Sequence, residues 1–231
     1  MDEINRFPHP FKDEMAARLA GGTPTHGFDR TYFDDPDALT GFRGYSEEGN
    51  SAEGKRDFRQ EALDVIAALT DGGERPLRPL EDGIRGVLDV GCAKGFLVRH
   101  LRKLGVDAWG TDISEYAIST APADVRPYLR VATVQQIGPE QRYEVVHVCG
   151  VLIYLKVSEI RAALTMFRRI ATRGLVLYEP TREMLERWLD ARDEGAFDPM
   201  RLQELPAATW DELIREAGFE RDPRGWWAVA G

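Results

Sequence analysis

The 231-residue chain has two cysteines, Cys92 and Cys149, and four histidines. The cysteines stand far apart at expected core positions. No disulfide framework is read, and a reducing compartment is expected. There is no C-x-x-C, no pair of histidines at helical spacing and no dense Asp/Glu loop of the Ca2+ type, so no metal site is expected. No apolar run approaches the roughly 20 residues that span a bilayer. The opening Met1-Asp2-Glu3-Ile4-Asn5 is acidic and lacks a signal peptide's apolar stretch. A cytoplasmic protein without membrane association is the expectation. Positive charge is short as well: 30 Lys and Arg stand against 39 Asp and Glu, a net charge of −9. The basic residues are scattered, whereas proteins that grip nucleic acid cluster them against phosphates. Nucleic acid is therefore a disfavoured partner. Arg161, Arg168 and Arg169, on one expected helix, read as a solvated face.

What the chain does have is a hydrophobic content of 43%, enough for one α/β domain with a sizeable core. Its most informative stretch runs from Gly86 to Val98. Val87-Leu88-Asp89-Val90 has the β-branched, apolar character of a central parallel strand. Gly91 and Gly95 permit a sharp turn and a close approach to a ligand. Phe96, Leu97, Leu101 and Leu104 then recur at helical spacing, so a ligand at the turn would face the first N–H groups of a helix. About twenty residues on, Trp109-Gly110-Thr111-Asp112 ends a second strand, and an acid there can bond both hydroxyls of a ribose. The turn reads Asp89-x-Gly91-x-Ala93-x-Gly95, which is not the G-x-G-x-x-G dinucleotide fingerprint.

This pattern resembles the first motif of class I S-adenosylmethionine (SAM)-dependent methyltransferases, Asp/Glu-x-Gly-x-Gly-x-Gly, with Ala93 in place of the middle glycine. Ala108 to Ser114 resembles the second motif, Leu129 to Val134 the third strand and its exit, Tyr143 to Leu152 the fourth strand and its loop, and Gly174 to Pro180 the fifth. The match covers roughly 85–180, with a tail hairpin over 218–231. The resemblance implies a doubly wound, mostly parallel seven-stranded α/β sheet with helices on both faces and a C-terminal antiparallel hairpin. It implies SAM as cofactor, held by Asp89, Gly91, Cys92, Ala93, Gly95, Asp112, Ile113, Thr133, Val134, Cys149 and Gly150. Asp112 would take the ribose diol and Ile113 would pack on the adenine. Thr133 stands where many relatives carry an acid toward the adenine, which leaves a backbone contact at Val134.

Residues 1–84 read as an N-terminal helical or lid segment, with helices over Phe11–Leu19 and Asp57–Leu69. Residues 85–231 read as the cofactor-binding domain. Phe42-Arg43-Gly44-Tyr45 is the best candidate cover, with Tyr45 and Arg43 reaching toward the methionine carboxylate. A segment over about 180–206, longer than a minimal connection, shapes the acceptor side. Thr209-Trp210-Asp211-Glu212 is a capping-box pattern expected to open a helix that ends at Gly218. Methyl transfer demands chiefly positioning, with a base where the acceptor is a hydroxyl or a protonated amine. Tyr154 and Glu179, with His26 behind them, are the candidate acceptor-site residues. His147, mid-strand, reads as structural. No Asn/Asp-Pro-Pro-aromatic sequence follows the fourth strand. A small-molecule O- or N-methyltransferase is expected, acting on a natural-product or sugar-like scaffold, and a homodimer is one assembly this reading admits. A protein or RNA methyltransferase, or a SAM-fold protein with other chemistry, are the alternatives.

Overall fold

The structure, a computed structural model, describes residues 28–34, 45–52, 56–73, 83–190 and 201–231. Three N-terminal helices, α1 (Arg30–Asp34), α2 (Glu47–Ala52) and α3 (Phe58–Leu69), precede an alternating run. That run is β1 (Ile84–Val90), α4 (Phe96–Lys103), β2 (Ala108–Asp112), α5 (Glu115–Ser119), β3 (Leu129–Val131) and β4 (Arg142–Cys149). It continues with α6 (Val157–Ile170), β5 (Ala171–Tyr178), α7 (Arg182–Asp190), α8 (Ala207–Glu216), β6 (Phe219–Arg221) and β7 (Trp227–Val229). The helix expected over Phe11–Leu19, and His26 and Arg43, lie outside the described residues.

The strands form one seven-stranded sheet in the order β3-β2-β1-β4-β5-β7-β6. All neighbours from β3 to β5 are parallel, and β7 runs antiparallel to both β5 and β6. The expected doubly wound architecture and tail hairpin are therefore present. The chain winds outward from β1 to β3 and then returns to β4 on the other side of β1. The carboxyl ends of β1 and β4 thus flank the switch point where such sheets bind ligands.

Strand alternation sorts the core into two layers. Val87, Val145 and Val176 face α3 and α4, where they join Ala62, Val65, Leu97 and Leu101. Leu88, Val146, Val148 and Leu175 face α6 and α8, where they join Ile160, Leu164, Phe167, Trp210 and Ile214. The helices are set by local signals. The Asp57 side chain caps α3 by accepting from Arg59 and Gln60 N–H, and Ser114 caps α5 by accepting from Ala117 N–H. Helix α8 starts one turn before the expected capping box, because the Pro206 carbonyl already accepts from Thr209 and Trp210 N–H. Arg168 also departs from the expected solvated face. Its guanidinium donates to the Gly218 and Ala230 carbonyls at 3.0 and 3.1 Å and so pins the tail hairpin to α6.

The N-terminal segment is fastened to the loops at the switch point. The Ser114 hydroxyl donates to the Phe28 carbonyl at 2.5 Å. The Asp34 carboxylate accepts from Lys94 Nζ in the glycine turn and from the Tyr116 hydroxyl in α5, both at 2.6 Å. Tyr45, Phe33, Phe58 and Phe96 form a continuous aromatic contact, with Tyr45 and Phe96 stacked at 5.8 Å.

Candidate active site

The turn between β1 and α4 is built by its own backbone. Gly91 and Cys92 N–H both donate to the Thr111 carbonyl of β2, and Gly95 N–H donates to Cys92. The path requires φ of +74° at Gly91 and +49° at Ala93. Ala93 therefore adopts the left-handed conformation that a glycine would take without cost. A Cβ at Gly91 would stand 2.1 Å from Val151 Cγ2, so the loop after β4 packs directly on the turn.

Asp112 ends β2 and ties the two neighbouring turns together. One carboxylate oxygen accepts from Ala93 N–H and the other from Ser114 N–H, both at 2.8 Å. Burial pushes its carboxyl up to about 6, the charge of Asp89 adds to that, and the N–H bonds oppose it. Each oxygen keeps a lone pair for a further donor. The sequence placed a carboxylate at an open sheet edge, but the structure shows it only 9% exposed and holding the turns as well. Asp112→Ala is accordingly expected to lower the unfolding free energy by about 2 kcal/mol, since two backbone N–H groups lose their acceptor. A urea titration checks it, and an unchanged midpoint would refute the tying role.

Asp89 of β1 and His147 of β4 are register partners on adjacent strands. Both side chains are buried, and Asp89 Oδ1 lies 2.7 Å from His147 Nδ1. The other ring nitrogen, Nε2, is buried and has no partner among the described residues. His147 sits in the core as expected, but bonded to the acid that opens the glycine-turn motif.

Tyr45 meets a residue that the sequence did not single out. Arg56, just ahead of α3, donates to both Glu61 oxygens at 2.8 and 2.5 Å and to the Tyr45 hydroxyl at 3.2 Å. Cys149, at the end of β4, shares this corner: burial pushes its thiol up to about 12, with the Arg56 charge opposing. Arg56 belongs to no motif, and the one clue was an acid placed to receive it in the next helical turn. Beside Cys149, Gly150 has open space where a Cβ would point.

The third group lies on the rim after β4. Glu179, at the end of β5, accepts from Val151 and Leu152 N–H at 2.9 Å and from Ile153 N–H at 3.4 Å. Burial pushes its carboxyl up to about 7, while the N–H bonds and the charge of Arg201 oppose this. Glu179, expected to face the acceptor, has its oxygens engaged by the backbone of the loop after β4. Tyr154, the next candidate, is half-buried, and its hydroxyl lies 3.0 Å from that of Tyr32, with Phe28 edge-on to both rings. Ile113 and Thr133 are half-buried beyond Asp112. Thr133 N–H donates to Gln136, and Val134 is buried in the core layer that faces α6 and α8.

The family model described as "Methyltransferase domain" matches residues 55–222. A ubiquinone biosynthesis O-methyltransferase from Azorhizobium caulinodans is 29% identical over 191 residues, covering 72% of this chain and 74% of the relative. Magnesium protoporphyrin IX methyltransferase from Synechocystis PCC 6803, solved with bound SAM, superposes with a TM-score of 0.54 at 19% identity, covering 95% of this chain and 97% of that one. DesVI of Streptomyces venezuelae gives a TM-score of 0.57 at 17% identity, covering 78% of this chain and 95% of that one. With the matched model spanning the glycine turn, both acids and the β4 rim, the chain belongs to the methyltransferase-domain family.

Proposed function

We propose that this methyltransferase binds SAM at the β1–β4 switch point and transfers its methyl group to a hydroxyl oxygen of a small molecule. The observation that carries the reading is the set of groups gathered around the carboxyl ends of β1, β2 and β4. Asp112 offers acceptor lone pairs to a ribose diol. Asp89 offers an anion to an ammonium group, and Arg56 with Tyr45 offers donors to a carboxylate. The open side of Gly150 leaves room beside them. This donor set fits the polar ends of SAM. Ile113 and Val134 flank the adenine end in this reading. Oxygen as the receiving atom is supported by the O-methyltransferase relative, and a small acceptor by the chain's net charge of −9. The two free thiols support a cytoplasmic site of action. Residues 85–231 act as the cofactor-binding unit, with the segment before them as its cover.

When bound, SAM supplies a carbon activated by a sulfonium, so displacement needs the acceptor oxygen brought into line. Tyr154 and Tyr32 hold the acceptor hydroxyl by hydrogen bonding, and Phe28 walls off water beside them. Glu179 acts through the loop by fixing Val151 to Tyr154. His26 remains a proposed acceptor-side group outside the described residues.

Calorimetry is expected to show one mole of SAM bound per chain. A screen with methyl-labelled SAM is expected to label low-molecular-weight hydroxyl compounds. No SAM binding, or label confined to protein or RNA, would overturn the reading. Tyr154→Phe is expected to raise the acceptor KM about threefold to tenfold, the worth of one hydrogen bond. SAM affinity should stay within about twofold in the same variant, since the lost hydroxyl bonds Tyr32 and the acceptor in this reading and is not among the groups assigned to SAM.

A further inference from the structure

His147 is fully buried, yet among the described residues half of its hydrogen-bonding capacity is unused. A neutral imidazole has one N–H and one bare nitrogen, while an imidazolium has two N–H groups. Were His147 an imidazolium, its Nε2–H would be a charged donor without a partner inside the core, a costly arrangement. Were the proton on Nε2 of a neutral ring, the same orphan N–H would remain, and Asp89 would have to be protonated to donate to Nδ1. The arrangement that strands no donor is the neutral ring with its Nδ1–H donating to an ionised Asp89. The bare Nε2 is then a buried acceptor without a donor, the lesser penalty.

That assignment leaves Asp89 as a buried anion with a neutral partner. Among the described residues no Lys or Arg lies within ion-pair distance of it, and its one side-chain hydrogen bond is to His147. Its charge reaches the groups nearby, opposing ionisation of Asp112, Cys92 and Cys149. Buried carboxylates are ordinarily matched by a cation. Among the described residues the site supplies no such cation, and the chain holds the anion at the mouth of the glycine turn.

We infer that His147 is a positioning residue that donates to Asp89 and aims its carboxylate, so that a cationic ammonium on the ligand completes the pair. This rests on the proposed SAM site and adds the group that makes its acid work. In the absence of the imidazole, the Asp89 carboxylate loses its one side-chain hydrogen bond among the described residues and is no longer held toward the ammonium.

The test compares two nucleosides that differ only at that end. S-adenosylhomocysteine carries the amino-acid portion, and 5′-methylthioadenosine lacks it. His147→Leu is expected to weaken S-adenosylhomocysteine about tenfold or more while leaving 5′-methylthioadenosine within about twofold. His147→Asn places an amide N–H2 near the Nδ1 position and is expected to bring the first ligand back to within about threefold of wild type. An equal loss for both nucleosides would reduce His147 to a packing role and overturn the inference, as would unchanged S-adenosylhomocysteine binding in the Leu variant. If the wild-type chain binds neither nucleoside, the SAM reading itself falls and takes this inference with it. Should the Leu variant not fold, nitrogen NMR of 15N-histidine-labelled wild-type protein still decides. The Nδ1–H tautomer supports the inference, and an Nε2–H tautomer refutes it.

Discussion

Gly91→Ala is expected to abolish SAM binding and to lower the unfolding free energy by about 2–5 kcal/mol. Two separate costs add. The backbone at Gly91 has φ of +74°, where an L side chain loses about 1–2 kcal/mol against its own carbonyl. The new methyl would also lie 2.1 Å from Val151 Cγ2, and overpacking of this kind costs a further 1–3 kcal/mol or so. Val151 has little freedom to retreat, since its N–H and the next two are held by Glu179. The strain therefore moves the turn, and with it the Gly91 and Cys92 bonds to Thr111 that set the distance between β1 and β2. A chemical denaturation curve and a SAM titration on the same variant check both parts. Gly105→Ala is the control, because φ there is +85° and no atom lies within 4 Å of the added methyl. It should show the conformational cost alone, about 1–2 kcal/mol, with SAM binding intact. If the two alanine variants lose equal stability, Val151 yields freely and the close approach at Gly91 has no consequence.

The legible features of this chain were those decided by neighbours in sequence. Gly91 and Gly95 mark a turn because a left-handed backbone is a local demand, and the apolar run before them marks a strand buried on both faces. Asp112 was readable as the acid closing β2. Features decided by register or by distant backbone were not readable. Asp89 and His147 become partners only once β4 is known to lie beside β1 with those two residues level. Glu179 looked like a free carboxylate at a ligand-facing strand end, since nothing in the sequence shows that three N–H groups of the β4 loop converge on it. Arg168 looked solvated because its acceptors, the Gly218 and Ala230 carbonyls, come from the far end of the chain. The capping box at Thr209 was a sound local signal, overridden by the Pro206 carbonyl one turn earlier.

Glu179→Ala tests the other side of the same contact and is expected to cost about 3–5 kcal/mol of stability together with most of the methyl-transfer rate. Leu152 and Ile153 are buried, so the N–H groups released there do not regain full hydration, and each orphaned donor costs about 1–3 kcal/mol. The loop that carries Val151 and Tyr154 then loses the carboxylate that holds three of its N–H groups, so the acceptor side and the glycine turn loosen together. The pH dependence separates this anchoring from simple charge. Burial raises the Glu179 carboxyl from 4.5 to about 7, and that of Asp112 from 3.8 to about 6. Both groups bind a proton more tightly in the folded chain. Their contribution to stability is therefore fully present below the unfolded values and is lost as pH rises through about 6 and then about 7. The lowered carboxyls at Asp34, Asp124, Glu183 and Asp222 act in the opposite sense and only at acid pH, below their ordinary range. The melting temperature is thus expected to fall between about pH 5 and pH 8, by the equivalent of roughly 2–3 kcal/mol from Glu179. Glu179→Gln keeps a carbonyl oxygen for Val151 and Leu152 and carries no titrating proton. It should stay folded across this range and flatten the upper part of the decline, whereas Glu179→Ala should be destabilised at every pH. A Gln variant that keeps the full wild-type slope would assign the titration to another group.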